Sequence, residues 1–343
     1  MPMLQVIYHI WISCTYPCLS KVITFFGYKW YFHGENSILI STFITFCVFA
    51  DKIGNIYFRN YTMLCSPIIK KRTTFAIMDI IEQYSIGKRK DCPCEDGWIV
   101  THDFAAVVDG STAKIKIAKG QESPGHLAMR LVCNAIGTLP AEATKEEALT
   151  WLTRAIAADT TYAAINYRPT CSAVIYSRFH HEVWFVGDCQ ARWHDKTYHF
   201  EKKVDTILTD IRCQAIRYYL NHGYTEEYIR QNDKGRAFIY DALCDQLHFQ
   251  NDPNPNNPYS YPVIDGQHIR PDLIPAIPVN NANELILASD GYPQLCNTLE
   301  HTEEKLAEVL RIDPLCIREN PSSKCLVEGN RSFDDRTYLR ILI

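Results

Sequence analysis

Short apolar segments that do not alternate with polar residues recur along the chain after residue 77. A continuous apolar run is typical of a strand that is buried on both faces. The predicted strands are residues 98–100, 104–108, 173–176, 183–186, 285–288 and 338–343. The second of them runs directly into Asp109, Gly110, Ser111 and Thr112, so a carboxylate, a glycine and two hydroxyls follow a buried strand.

Helix signals separate these strands. Ser123 followed by Pro124 predicts a helix start, and Thr144 with Glu147 forms a capping box that predicts a second one. Further helical sections are predicted over residues 204–221 and 226–247. Because helices interrupt the strands in pairs, the pattern favours layered sheets with helices outside, an α/β sandwich.

Composition excludes some classes of protein. The chain has 343 residues, 47% of them hydrophobic, and a formal net charge of -4. This charge gives no electrostatic case for binding nucleic acid or an acidic membrane surface. None of the 14 cysteines forms a C-x-x-C pair, which is the usage expected in a reducing cytoplasm. Cys92 and Cys94 lack a second pair at zinc spacing, so no zinc site is expected.

Residues 1–77 differ from the rest of the chain, and we predict no fold for them. They contain two acidic residues against seven lysines and arginines. One interpretation is that Met78 is the natural start and that residues 1–77 are upstream sequence added by a wrongly chosen start codon. The other is a weak membrane anchor at residues 38–50, although a spanning helix needs ~20 apolar residues. The start of the chain lacks a basic n-region, so a secretory signal is not predicted.

Acidic residues lie at the ends of several predicted strands. They are Glu95 and Asp96, Asp109, Asp188, Asp290, and Asp334 with Asp335. Like charges that gather in one place raise one another's pKa, so such a cluster requires cations. Carboxylate oxygens are hard ligands that select magnesium, manganese or calcium. One Asp-Gly pair is an ordinary turn, but the ordered set predicts a metal site.

The chain resembles the metal-dependent PPM protein phosphatases, the type 2C serine/threonine phosphatases, as a divergent, bacterial-like member. The segments that carry the resemblance are, in order, EDG, VVDGST, TCSAVIYS, VWFVGDCQARW, LILASDGY and DDRTYLRI. The resemblance covers residues 82–343 and implies a four-layer α-β-β-α sandwich of two antiparallel sheets flanked by helices. It also implies two Mn²⁺ or Mg²⁺ ions in a channel at one edge, and hydrolysis of phosphoserine or phosphothreonine in a protein.

The same resemblance assigns roles to the acids of the first two segments. Asp109 matches the carboxylate that bridges both ions. The carbonyl of Gly110 matches a backbone ligand of one of them. Glu95 and Asp96 match the acidic pair beside the second ion.

The later segments supply the remaining matches. Asp290 and Asp334 match the carboxylates of the first ion, and Asp188 matches a ligand of a weaker third ion. Asp335 stands where the family usually has asparagine. Gln294 replaces the aspartate that usually follows four residues after Asp290, so we expect a weakened third ion site.

The candidate catalytic residues depart from the family pattern. Ser111 stands where a histidine usually protonates the leaving group, and serine is a poor acid. His126 is either a relocated proton donor or a helix-surface residue with no role. Arg89 is the nearest match to the phosphate-binding arginine before the acidic pair. Lys88 and Lys90 are the alternatives, and solvated surface charge is the other interpretation of all three.

Two hypotheses follow for residues 78–343. The first is an active phosphoprotein phosphatase in the cytoplasm, with a phosphorylated protein as substrate and with no nucleic acid or membrane partner. The second is a PPM-fold pseudophosphatase that binds a phosphoprotein without turnover, which the replacements at Ser111 and Gln294 favour.

Overall fold

Three strands lie in the first part of the chain. The structure is a computed structural model that describes residues 23–29, 42–50, 56–63 and 78–343. The strands β1 (Ile23–Lys29), β2 (Thr42–Ala50) and β3 (Ile56–Met63) form an antiparallel sheet with β2 in the centre. The chain divides into two units, Met1–Phe75 and Ala76–Ile343.

The membrane-anchor interpretation falls partly on these strands. Residues 42–50 of the candidate anchor form β2, while residues 38–41 lie outside the described residues. Within the described ranges, no helix has both the length and the apolar character needed to cross a membrane. The start-codon interpretation concerns residues that are largely outside the described ones and stays a prediction.

The second unit contains ten strands and seven α-helices among the described residues. The strands are β4 (Ile80–Ile86), β5 (Asp96–Val100), β6 (Phe104–Gly110), β7 (Cys171–Ser177), β8 (Glu182–Val186), β9 (Gln190–Trp193), β10 (Lys196–Tyr198), β11 (Ala276–Pro278), β12 (Glu284–Ala288) and β13 (Arg336–Leu342). The helices are α1 (Pro124–Ile136), α2 (Lys145–Ala157), α3 (Lys203–Asn221), α4 (Glu226–Gln231), α5 (Lys234–Phe238), α6 (Tyr240–Asp245) and α7 (Leu299–Ile312). Short 3-10 helices lie at Ala163–Ile165, Gln246–Phe249 and Pro271–Leu273.

The ten strands form two antiparallel five-stranded sheets. Sheet I has the order β11-β8-β7-β6-β5, and sheet II has the order β10-β9-β12-β13-β4. All six apolar segments predicted from the sequence lie within strands of these sheets, apart from the terminal residue Ile343. Two of them, β6 and β7, lie side by side inside sheet I.

Strand β6 shows why its sequence is continuously apolar. Ala106 and Val108 pack in the cluster that contains α1 and α2. Ala105 and Val107, on the opposite face, pack against residues of sheet II such as Leu287. Because both faces of the strand are covered, alternation with polar residues would bury polar groups without partners.

Helix α7 covers the outer face of sheet II. Leu306 of α7 packs in one cluster with Ile286 of β12 and Tyr338 of β13. The layers are therefore α1 and α2, sheet I, sheet II, and α7. This order confirms the four-layer α-β-β-α sandwich.

The two predicted helix starts are confirmed. Ser123 caps α1 by accepting a hydrogen bond from the backbone N–H of His126, with Pro124 in the first turn. Thr144 and Glu147 form both halves of a capping box at α2. These caps satisfy backbone donors that have no partner inside the helix.

The predicted helical section at residues 226–247 is broken into α4, α5, α6 and a 3-10 turn. The break after α4 occurs at Asp233, whose φ of 39° lies in the left-handed region. Its side chain caps α5 by accepting a hydrogen bond from the N–H of Arg236. Asp233 thus separates α4 from α5, a break that hydrophobic periodicity alone does not predict.

Candidate functional site

Most of the predicted acids meet at one cavity. The cavity has a volume of about 660 Å³, and Asp109, Asp188, Asp290 and Asp334 all line it. Asp109 belongs to β6 and Asp188 follows β8 in sheet I, whereas Asp290 follows β12 and Asp334 precedes β13 in sheet II. The two sheets therefore bring these four carboxylates together at one edge of the sandwich.

Asp96 and Asp109 form the centre of the acid cluster. They are directly opposite each other in the antiparallel pair β5–β6. Burial, with the charges of Asp335 and Asp290, raises the pKa of Asp96 to about 7, although a Ser289 hydrogen bond opposes the shift. Burial and the charges of Asp96 and Asp290 also raise the pKa of Asp109. The cluster therefore destabilises its own ionised form.

One oxygen of this cluster lacks any hydrogen-bond partner. It is Oδ2 of Asp96, which is buried. A buried acceptor without a partner costs about 1–3 kcal/mol. A divalent cation bound between the carboxylates would remove both this cost and the mutual repulsion. The carboxylates of Asp96, Asp109 and Asp290 therefore have the donor chemistry that hard cations such as Mn²⁺ and Mg²⁺ prefer.

Glu95 is held in place beside this cluster. Thr112 Oγ1 donates a hydrogen bond of 2.8 Å to Glu95 Oε2, and Ser123 Oγ donates one of 2.6 Å to Oε1. The N–H of Gly110 donates to the backbone carbonyl of Glu95 at 3.1 Å. A Cβ at Gly110 would lie 2.2 Å from the carbonyl oxygen of Gly125, so only glycine fits this close approach.

Lysines pair with three of the other predicted acids, Asp188, Asp334 and Asp335. Lys88 Nζ lies 3.0 Å from Asp334 Oδ1 and 3.1 Å from Asp335 Oδ2, and Lys324 also pairs with Asp334. Lys202 Nζ lies 2.7 Å from Asp188 Oδ2. Within the part of the chain that the structure describes, no three His, Cys, Asp or Glu residues are grouped as a ready metal site.

Two of the predicted metal ligands, Asp188 and Asp334, are paired with lysines. Burial alone would raise the pKa of Asp188, but Lys202 and a hydrogen bond from Ser172 lower it. Asp188 and Asp334 therefore have internal counterions, unlike Asp96 and Asp109. A cation that used Asp188 or Asp334 as ligands would compete with a lysine for the same carboxylate.

The candidate catalytic residues do not all line the cavity. Ser111 and Gln294 line the cavity. Arg89 is half-exposed, pairs with Asp91 at 3.7 Å and is not among the described residues that line the cavity. Lys88, one of its two alternatives, points into the acid cluster instead, while Lys90 is exposed.

His126 is not among the described residues that line this cavity. Its Nδ1 is 2.6 Å from Glu122 Oε1, one turn earlier in the sequence, and Arg130 binds the same carboxylate. A different histidine, His199, lines the cavity. It follows β10 directly.

Sequence reasoning missed several cations of the cavity. They are Lys114, Lys202, Arg236 and Lys324. Each stands in a loop or helix with no motif around it, so no local signal marks it. Only the folded chain brings them to the acids.

Known structures offer a comparison for this fold. Its two antiparallel sheets flanked by helices resemble those of solved PPM serine/threonine phosphatases. No family model matches the sequence, and no curated protein matches it.

Three of the similar solved structures are distant in sequence from this chain. One is the Mycobacterium tuberculosis serine/threonine phosphatase PstP/Ppp, with 13% identity, a TM-score of 0.40, and coverage of 76% of this chain and 97% of that one. Another is Stp1 from Staphylococcus aureus, with 14% identity, a TM-score of 0.39, and coverage of 77% and 96%. A third is the PPM phosphatase MsPP from Mycobacterium smegmatis, with 14% identity, a TM-score of 0.36, and coverage of 77% and 99%.

Proposed function

We propose that residues 78–343 form a metal-dependent phosphatase domain that hydrolyses phosphoserine or phosphothreonine in proteins. The observation that carries this proposal is the acid cluster of buried Asp96 and half-buried Asp109 and Asp290, with its unpartnered Asp96 oxygen. Such a cluster is costly for a folded protein unless cations bind it. Because hard oxygen donors select Mn²⁺ or Mg²⁺, we propose two such ions as the cofactor.

The residues of the chain have separate roles in this proposal. Asp96, Asp109 and Asp290 would hold the ions, together with the carbonyl of Gly110. When bound, two such ions would activate a water and neutralise charge on the phosphoryl oxygens. Glu95, fixed by Thr112 and Ser123, would orient water on the same side of the cluster.

The phosphoryl group needs a cation from the protein as well. In relatives of this family an arginine is expected in this role, and Arg89 is the sequence-based candidate. Lys88 and Lys324 are better placed, because both ammonium groups already lie against the acid cluster. Ser111 lines the cavity and is our proposed substitute for the family's histidine, although its hydroxyl is a weak acid.

A pseudophosphatase is the second candidate, and a specific observation favours it. Lys88 and Lys324 both bind Asp334, and Lys202 binds Asp188, so internal cations pair with two predicted metal ligands. Gln294 also replaces a predicted ligand of the third ion. In this case the domain would bind a phosphoprotein without hydrolysing it.

Manganese-dependent phosphate release from a phosphoserine peptide separates the two candidates. We expect release by the full chain, and loss of both release and Mn²⁺ binding in Asp109→Asn. Asp241→Asn, on the exposed side of α6, is the matched control and should change neither. Mn²⁺ affinity measured by calorimetry that is equal in Asp109→Asn and wild type would contradict the metal site. Binding of the peptide without release would favour the pseudophosphatase.

Two further proposals concern the setting of the domain. The cysteines of residues 78–343 are free thiols, and several are buried in the core. This usage agrees with a reducing compartment, so we propose that the protein acts in the cytoplasm. Its partner in this proposal is a phosphorylated protein.

A further inference from the structure

Four cations line the cavity that contains the acid cluster. Lys202 and Lys324 are paired with Asp188 and Asp334, as described above. Lys114 and Arg236 line the same cavity, and neither forms a salt bridge with a carboxylate in the part of the chain described by the structure. Two cations of this cavity therefore have no direct counterion.

The backbone around Lys324 is held by three neighbouring contacts. Arg212 donates to the carbonyl of Ser322 at 2.9 Å, and Arg236 donates to the carbonyl of Ser323 at 3.0 Å. The N–H of Cys325 donates to Asp233 Oδ2 at 2.8 Å. Because the chain is fixed at residues on both sides of Lys324, the backbone of Lys324 has little freedom, and Arg236 lies beside it.

The cations repel one another in this arrangement. Burial, together with the charges of Arg236 and Lys324, lowers the pKa of Lys114 to about 8. Burial also lowers the pKa of Arg236, and the nearby Arg212 adds to this effect although Asp233 opposes it. An anion placed between Lys114 and Arg236 would relieve this repulsion.

Lys324 connects this basic region to the acid cluster. Its ammonium binds Asp334, and the charges that act most strongly on it include Asp290 and Asp109 as well as Arg236. The charges that act most strongly on Lys114 are Arg236, Lys324, Asp205 and Lys202. Lys114 and Arg236 line the same cavity as Asp109 and Asp290, so a substrate bound with its phosphoryl group at these carboxylates would share the cavity with both cations.

We propose that Lys114 and Arg236, next to Lys324, form an anion subsite for an acidic side chain close to the phosphorylated residue of a protein substrate. This inference rests on the proposed function, since it names the class of phosphoprotein that the site would take. Charge-assisted hydrogen bonds in a half-buried wall are stronger than those on an open surface, so the subsite would affect substrate choice.

The test compares two phosphoserine peptides with the full chain and Mn²⁺. One peptide carries glutamates on both sides of the phosphoserine, and the other carries glutamines at the same positions. We expect kcat/KM to be about tenfold higher for the acidic peptide, mainly through a lower KM. Equal kcat/KM for the two peptides in the wild type would overturn the inference without any variant.

Variants of single residues test which side chains cause the preference for the acidic peptide. Lys114→Gln should remove most of the tenfold preference, and Lys114→Arg should keep it because the charge stays. Lys116→Gln makes the same change at an exposed position of the same loop and should leave the preference intact. A full preference in folded Lys114→Gln would overturn the assignment. If Lys114→Gln does not fold, loss of the preference for the acidic peptide in folded Lys114→Arg would overturn the assignment, because that variant keeps the charge.

Failure of the proposed function gives a different result. In that case the wild type would release no phosphate from p-nitrophenyl phosphate with Mn²⁺, whatever the peptides show. Calorimetric affinities for the same two phosphopeptides then test the subsite without turnover. A preference for the acidic peptide would support it, and equal affinities would overturn it.

Discussion

The buried ion pair of Arg212 and Asp233 allows a quantitative prediction. Arg212 is fully buried, and its guanidinium donates to Asp233 Oδ1 at 3.1 and 3.3 Å. It also donates to three backbone carbonyls of the segment before Cys325, those of Leu315, Cys316 and Ser322. Arg212→Met would leave a buried carboxylate and three carbonyls without this donor.

The size of the effect follows from these contacts. Removing one partner of a buried ion pair costs about 3–5 kcal/mol, because the other charge stays buried without compensation. Asp233 keeps the backbone donors of Arg236 and Cys325, so we expect about 3 kcal/mol, at the lower end of that range. For a domain of this size each kcal/mol lowers Tm by about 2–4 °C, which gives a decrease of about 10 °C.

Thermal and urea unfolding of the full chain measure this effect. Arg217→Met is the control, since Arg217 lies on the same helix, is exposed and donates to a single carbonyl; it should cost less than about 1 kcal/mol. The double variant Arg212→Met/Asp233→Asn should be more stable than Arg212→Met alone, because it removes the unpaired charge and keeps the cap of α5. A loss below about 1 kcal/mol in Arg212→Met, or strictly additive effects in the double variant, would refute the reasoning.

Three further predictions test other parts of the structure. Gly110→Ala should destabilise the protein by more than about 2 kcal/mol, because the added Cβ meets the carbonyl of Gly125; unchanged unfolding in urea would contradict this. Burial alone would raise the pKa of Glu303, but hydrogen bonds of 2.7 Å from Arg336 hold it below its usual value. Its stabilising contribution is therefore present above about pH 4.5 and lost as pH falls, so Glu303→Gln should make stability less dependent on pH below that value. A pH dependence that is the same in both proteins would argue against this pair. Finally, the wild type should hydrolyse p-nitrophenyl phosphate far better than phosphopeptides, and Ser111→His should narrow this gap; a wild type with equal rates on both has another proton donor.

Local sequence predicted much of the fold. The apolar segments of β6 and β7 predict buried strands because each residue's environment depends on the two faces of one strand. The capping box of Thr144 and Glu147 predicts α2 because its hydrogen bonds join residues three positions apart. The acids at strand ends were also recognisable, because each lies at the end of a strand or within two residues of it.

The strands that the pattern does not predict have weak local signals. They are β4, β9, β10 and β11. Strands β10 and β11 have three residues each and lie at sheet edges. Strand β4, also at an edge, is half-exposed and contains Glu82 and Gln83 among its apolar residues. Their conformation comes from pairing with a neighbouring strand, which a single segment does not encode.

Charge compensation at the site was decided by the tertiary structure. Lys88 pairs with Asp334 across 246 positions of sequence, and Lys202, the residue just before α3, pairs with Asp188 in the loop after β8. Residue type and spacing identified the carboxylates, since they lie at strand ends. Which cation faces each carboxylate depends on long-range packing of separate loops, so Lys88 rather than Arg89 faces the acids. For the same reason, only the folded chain shows that Lys114, Arg236 and Lys324 line one cavity.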